Sequence, residues 1–245
     1  MKEQISETPW YREWFDENYL VLYRHRNRCD AEEQVRLIID ILKPTKETAI
    51  LDLACGEGRY TALFNELGYS VTGMDLSATL IERGREIYPG LDLRVGDMRR
   101  IPGKFDLILS LFTSFGYFDT DEENEKVLHS VYSALNPGGV FWLDFLNARQ
   151  VQEQLVPRTV TQFSSDIRVI ENRKIENNRI IKDIHFKNNG EERKYRESVR
   201  LFTRGELEKM FERSGFRIIK TFGDYCGHPW AVDSPRTILV GREIP

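Results

Sequence analysis

Three acids, one within an apolar run and two closing one, carry the chemistry most easily read from this chain. They are Asp52 in Ile50-Leu-Asp-Leu-Ala-Cys-Gly-Glu-Gly-Arg59, Asp75 in Val71-Thr-Gly-Met-Asp-Leu-Ser77, and Asp97 in Val95-Gly-Asp-Met-Arg99. A carboxylate at the end of a strand can accept both hydroxyls of a ribose diol, and Asp75 stands in that place. Its competing use is to cap the next helix, for which Ser77 is better placed. Gly56 and Gly58 lack a Cβ, so the backbone can turn close to a ligand before a helix whose N-terminus favours a carboxylate or phosphate. Asp97 could accept from an exocyclic amine, with Met98 against a purine face; as a turn residue it would do neither. These types at this spacing predict an adenosine-bearing cofactor. The third glycine of a dinucleotide fingerprint would fall at Thr61, which argues against NAD or FAD.

The elements that position these acids alternate. Apolar residues at helical spacing predict a covering helix over 31–43, stopped by Pro44, after an aromatic, charged N-terminal helix reaching about residue 28. Strands are expected at 49–54, 70–75, 91–95, 105–111 and 140–145, with helices at 59–67, 78–88 and 122–135 between them, as βαβ units of a doubly wound parallel sheet. Between 159 and 202 the pattern changes to period two, as in Ile180, Lys182, Ile184 and Phe186, broken by Asn177-Asn178 and Asn188-Asn189-Gly190. That predicts an antiparallel meander inserted in the α/β domain, with a local excess of Lys and Arg. Thr203 and Glu206 form a capping-box pattern for a helix closed by Gly215, and strands follow at 216–222 and 237–241.

The chain has 245 residues and a net charge of −4, enough for one large domain with an insertion and no electrostatic case for a nucleic acid partner. No apolar run is long enough to span a bilayer, and the first residues lack the apolar core of a signal peptide, so a cytoplasmic protein is expected. Cys29, Cys55 and Cys226 are scattered, which predicts neither disulfides nor a metal centre.

Taken together, Leu-Asp-Leu-Ala-Cys-Gly-Glu-Gly-Arg, Gly-Met-Asp-Leu-Ser, Gly-Asp-Met-Arg, the run Phe105-Asp-Leu-Ile-Leu-Ser-Leu-Phe-Thr-Ser-Phe-Gly-Tyr-Phe118 and Leu135-Asn-Pro-Gly-Gly139 resemble a class I S-adenosylmethionine-dependent methyltransferase. The match spans about residues 30–147 plus the closing helix and strands. It implies a Rossmann-like seven-stranded sheet with the last strand antiparallel, built from 1–148 and 203–245, and an antiparallel β lid at 149–202. It also implies S-adenosylmethionine as cofactor. By position, Ala54, Gly56 and Gly58 would face the methionine moiety, Asp75 and Leu76 the ribose and adenine, Asp97 and Met98 the adenine, and Leu111 and Phe112 the transferable methyl. Asp52 would orient the glycine loop or reach the methionine amine, and Tyr19 would contact the cofactor.

The lid is similar to that of small-molecule enzymes, especially sugar-amine N-methyltransferases and more loosely glycine N-methyltransferase. A small polar acceptor, methylated at nitrogen or oxygen, is therefore expected, by a monomer or homodimer. Candidate acceptor contacts are Tyr117, Arg200, Tyr225, His228, Trp230 and Arg236, with Tyr117 and His228 as candidate proton acceptors. Tyr19 and Tyr117 could equally be packing aromatics, Arg200 a surface charge, and His228 a loop residue before proline. Two other functions stay open at this level: a cofactor-binding regulatory module without turnover, and an RNA-modifying methyltransferase whose basic meander touches phosphates.

Overall fold

A computed structural model describes residues 8–23 and 28–244. The opening residues 1–7, and the part of the expected N-terminal helix at 24–27, lie outside the described residues. In place of that one helix stand two short ones, α1 (Trp10–Glu13) and α2 (Glu17–Leu22), the second capped by the Asp16 carboxylate. Next come α3 (Arg28–Leu42), β1 (Ala49–Leu53), α4 (Arg59–Glu66), β2 (Ser70–Asp75), α5 (Ala78–Ile87), β3 (Asp92–Val95), β4 (Phe105–Ser110), α6 (Asp121–Ala134) and β5 (Leu135–Leu146). The chain continues through α7 (Ala148–Glu153), β6 (Arg158–Gln162), β7 (Ile167–Glu176), β8 (Arg179–Asn188), β9 (Glu191–Arg200), α8 (Arg204–Arg213), β10 (Phe216–Phe222) and β11 (Arg236–Glu243).

Seven strands form one sheet in the order β10-β11-β5-β4-β1-β2-β3. Strand β11 runs antiparallel to both neighbours, while the β5-β4-β1-β2-β3 pairs are parallel. Period-two alternation sends the two faces into separate cores: Phe141, Leu143 and Phe145 of β5 pack with α6 and α8 residues, while Trp142 packs with α3 and α4 residues. The order reverses between β1 and β4, so the C-terminal ends of β1, β2 and β4 open onto one crevice, where α/β sheets hold ligands.

The meander is a second sheet, β6-β7-β8-β9, antiparallel throughout. Asn177 and Asn178 (φ 50° and 55°) and Asn189 and Gly190 (φ 49° and 84°) supply the left-handed turns that two-residue hairpins require. Helices α1 and α2 cover its inner face: Trp14 is fully buried with Leu22 against Val169, Ile184 and Phe186. Arg179 rivets the two sheets together by donating to the Phe118 carbonyl (2.9 Å), and the Arg200 N–H donates to the Gly116 carbonyl (2.8 Å). Gly116 has φ 82°, and a Cβ there would lie 3.0 Å from the Arg200 carbonyl oxygen, so this close joint needs glycine.

Candidate active site

Between the open end of the large sheet, the lid and the N-terminal helices lies a cavity of about 760 Å³. Twelve residues singled out from the sequence line it: Tyr19, Asp52, Ala54, Gly56, Asp75, Leu76, Asp97, Met98, Leu111, Phe112, Tyr117 and Arg236.

The glycine turn is shaped by three left-handed residues, Ala54 (φ 61°), Gly56 (φ 60°) and Gly58 (φ 83°). Their roles differ. Gly56 borders the cavity, with only Leu80 as close as 3.9 Å to an added Cβ. Gly58 does not line it; a Cβ there would meet Leu93 at 2.8 Å, so its bareness serves the entry into α4 and packing beneath the turn. The expectation that Gly58 faces the cofactor is corrected accordingly.

Asp75 accepts the Gly56 N–H on one oxygen (2.9 Å) and the Ser77 N–H on the other (2.8 Å). Each oxygen keeps acceptor capacity on the cavity side. Burial pushes its carboxyl pKa up, against those backbone donors. Ser77 takes the capping task, accepting from the Leu80 N–H. Asp52, buried beneath the turn, accepts both the Thr61 N–H (3.1 Å) and the Thr61 hydroxyl (2.7 Å). The residue at the missing third glycine thus clamps α4 to β1. Burial raises its pKa to about 6 despite the Thr61 donors. Asp97 is gripped by its own neighbour: the Arg99 guanidinium donates to both oxygens (3.1 and 2.7 Å), holding the carboxyl below its ordinary range. One oxygen still has a lone pair for an exocyclic amine, beside Met98.

The opposite wall comes from the lid and the N-terminal helices. Arg173, Lys182 and Glu197 stand in one cross-strand row on β7, β8 and β9 and all face the cavity. Lys182 pairs with Glu197 (2.7 Å), Arg173 with Glu171 (2.7 Å), and Glu197 accepts the Trp14 indole N–H (2.6 Å) and the Tyr23 hydroxyl (2.7 Å). Burial works to raise the Glu197 carboxyl, but Lys182 and these donors outweigh it and hold it low. Sequence reasoning missed this row, yet its signal was present: Lys182 interrupts an otherwise apolar period-two face. Tyr117 also reaches the cavity, packed edge-on against Trp10 at 5.0 Å and stacked with Phe15 at 6.0 Å.

Phe112 and Thr113, just beyond β4, are consecutive non-glycine residues in the left-handed region (φ 56° and 66°). Such residues cost on the order of 1–3 kcal/mol each and persist only when their surroundings impose them. Asp144, fully buried at the end of β5, accepts the Phe112 N–H (2.9 Å), the Tyr225 hydroxyl and Arg236 Nε (2.8 Å). Arg236 Nη2 donates to the Thr113 hydroxyl (2.8 Å). Burial disfavours the Arg236 charge, but Asp144 more than compensates and keeps it protonated; burial and then Asp144 push the Tyr225 phenol upward.

Four acceptor candidates lie elsewhere. Tyr225 sits behind the wall, turned to Asp144. His228 is exposed, its Nδ1 2.7 Å from Asp224 Oδ2, and does not line the cavity. Trp230 donates to Thr237 (3.1 Å) beneath the Arg204 guanidinium. Arg200 fastens the lid exit to α6 and α8 through Asp121 (3.1 Å) and Glu206 (2.7 Å). The sequence carries no mark of such long-range partners.

A doubly wound sheet with one reversed strand, a glycine turn and an acid at the end of its second strand define the class I methyltransferase fold. Comparison with known proteins agrees. Residues 50–139 match the model of a methyltransferase domain. The chain is 28% identical, over 89% of its length and 96% of the relative's, to a dTDP-3-amino-3,4,6-trideoxy-alpha-D-glucopyranose N,N-dimethyltransferase from Streptomyces venezuelae. An S-adenosylmethionine-dependent methyltransferase from Clostridium acetobutylicum superposes with a TM-score of 0.80 at 19% identity, covering 93% of this chain and 97% of that one. An amino pentose methyltransferase from Micromonospora echinaspora, solved with S-adenosylmethionine bound, gives 0.68 at 20% identity, covering 93% and 97%. These similarities support an S-adenosylmethionine-dependent methyltransferase of class I fold, similar to the sugar-amine N-methyltransferases. Among the described residues no helix is long and apolar enough to cross a membrane.

Proposed function

We propose that this enzyme methylates the nitrogen of a small polar amine, with residues 149–202 as the unit that selects it. The observation that carries this reading is one cavity with two unlike walls: strand-end acids and a glycine turn on one side, aromatics and a charged lid row on the other. S-adenosylmethionine, when bound, supplies an electrophilic methyl on sulfur. Asp75 would hold the ribose hydroxyls, Leu76 and Met98 the adenine faces, and Asp97 the exocyclic amine. Leu111 and Phe112 would border the methyl, while Tyr19, Tyr117 and Trp10 exclude water, so that alignment supplies most of the acceleration. Tyr117 remains the candidate proton acceptor at the cavity, and His228 does not. The amino-sugar relative supports nitrogen as the acceptor atom. An RNA substrate is disfavoured because basic lid residues are engaged with lid acids, among them Arg196 with Asp183 and Lys174 with Glu176, both at 2.7 Å.

Calorimetry with S-adenosylmethionine and S-adenosylhomocysteine, followed by transfer of a labelled methyl into glucosamine, glycine and ethanolamine, tests this reading. Asp75→Ala is expected to lose at least a hundredfold in cofactor affinity while unfolding cooperatively. An unchanged affinity removes the ribose assignment, and transfer to none of the amines by a cofactor-binding wild type overturns the acceptor class.

A further inference from the structure

We propose that Asp144 and Arg236 are positioning residues for methyl transfer: their buried ion pair holds the Phe112–Thr113 turn in the cavity wall. This rests on the reading of the cavity as a methyl-transfer site. Three polar groups of Phe112 and Thr113 end on the two residues of the pair. The Phe112 N–H reaches Asp144 Oδ2 (2.9 Å), the Thr113 N–H reaches the Asp144 carbonyl (3.1 Å), and the Thr113 hydroxyl accepts from Arg236 Nη2 (2.8 Å). Tyr225 completes the set from the loop between β10 and β11, donating to the same Asp144 oxygen as Phe112.

An isolated buried charge pair is a poor source of stability, so its presence here calls for another use. That use is local. The pair sits where β5 and β11 meet, with Arg236 opposite Leu146 and Asp144 opposite Ile238, and each partner comes from a different strand. Two consecutive left-handed non-glycine residues, one of them β-branched, would relax without it. Relaxation would carry the Phe112 ring, whose face lies 5.9 Å from the Arg236 guanidinium carbon, out of the wall that borders the reacting methyl. The residues offered to the cofactor's ribose and adenine lie on β2 and β3 and their following turns, beyond β4 and β1 in the sheet, so the pair acts on the wall at the reacting methyl and not on the ribose and adenine contacts.

The test uses the full chain with Arg236→Lys, which keeps the charge and loses the fork, and Tyr225→Phe, which removes one donor and keeps the ring. Three readouts are taken: hydrogen exchange over residues 110–118, S-adenosylhomocysteine affinity by calorimetry, and turnover with whichever probe amine the wild type methylates. Arg236→Lys is expected to speed exchange in that segment at least tenfold and lower kcat at least thirtyfold, with cofactor affinity within twofold; Tyr225→Phe should move exchange and kcat the same way by less, again with cofactor affinity within twofold. Unchanged exchange in both variants overturns the proposal, as does a loss of cofactor affinity that parallels the loss of turnover. If the wild type binds S-adenosylhomocysteine but methylates no probe, the acceptor reading fails, while the exchange result still decides whether the pair holds the turn.

Discussion

Asp52 shows how a single side chain ties the cofactor turn to pH. Its carboxyl is buried, accepts twice from Thr61, and is pushed up by burial to about 6 from the ordinary aspartate value near 3.8. Between those values the folded chain retains a proton that the unfolded chain has released. The contribution of Asp52 to stability is therefore fully present below about pH 4 and lost as pH rises through about 6. A shift of this size amounts to about 3 kcal/mol. Asp52→Asn does not titrate and can still accept from Thr61, so its stability relative to the wild type should rise by about 2 kcal/mol between pH 4.5 and 7.5, the rest of the change falling below that window. Urea unfolding at the two pH values checks it; a constant difference would mean that Asp52 is ionised throughout. At this scale the sequence was legible where chemistry is local. Asp75, Ser77 and the Thr203–Glu206 capping box stand where spacing puts them. It was illegible where one long side chain meets another far along the chain, as with Arg200 and Asp121 or Arg236 and Asp144. No periodicity encodes such pairs.

Helix α5 is the element on which the glycine turn leans. Gly84, in its second turn, comes so close to the glycine turn that a Cβ would clash with the Glu57 carbonyl oxygen. Gly84→Ala should push the turn and helix apart, costing about 1–3 kcal/mol and weakening S-adenosylmethionine binding at least tenfold. Gly205→Ala is the control: open space surrounds its missing Cβ in α8, and loss of unfolded-state freedom should stabilise the chain by about 0.4–1 kcal/mol. Thermal melts and calorimetry on both variants decide it, and equal behaviour would show that Gly84 is not a contact point. Most element boundaries were readable within a few residues because apolar period and caps agree. Two features escaped. Helix α7 has only six residues behind its Asn147 cap, too few to show a period. Strand β5 starts at Leu135, because Asn136-Pro-Gly-Gly139 enters the sheet as an irregular edge beside β4 where a separate turn was expected.

Across the whole molecule, the N-terminal helices are what join the lid to the cofactor half. Trp14 and Tyr23 both donate to Glu197 on the lid, the Tyr195 hydroxyl of β9 donates to Asp16, and on the other side the Ser77 hydroxyl donates to the Phe15 carbonyl (2.7 Å) beside Asp75. Glu197→Gln retains shape but weakens the Lys182 pair and both donors' charge-assisted bonds. It should speed hydrogen exchange in residues 10–23 and in β8 together, at least fivefold; a change confined to one of the two would show that they are not coupled. Aromatic density near the N-terminus announced a packed segment, but the surface it covers could not be read, since Trp14 and the Val169–Phe186 cluster are far apart in sequence.

The lid ladder pairs only with itself, and the strands that carry the cofactor turn pair only among themselves. Few fixed points cross between them, chiefly Arg179 and Arg200 on the Gly116–Phe118 backbone. Heredity can therefore treat the two halves differently. Positions of β7, β8 and β9 outside Tyr195, Glu197 and the Val169–Ile184–Phe186 cluster can change without touching the contacts to the other half, provided that those two arginines and Gly116 are kept. On the proposed reading, in which residues 149–202 select the acceptor, a new acceptor calls for changes in that segment and leaves the seven-stranded sheet unaltered.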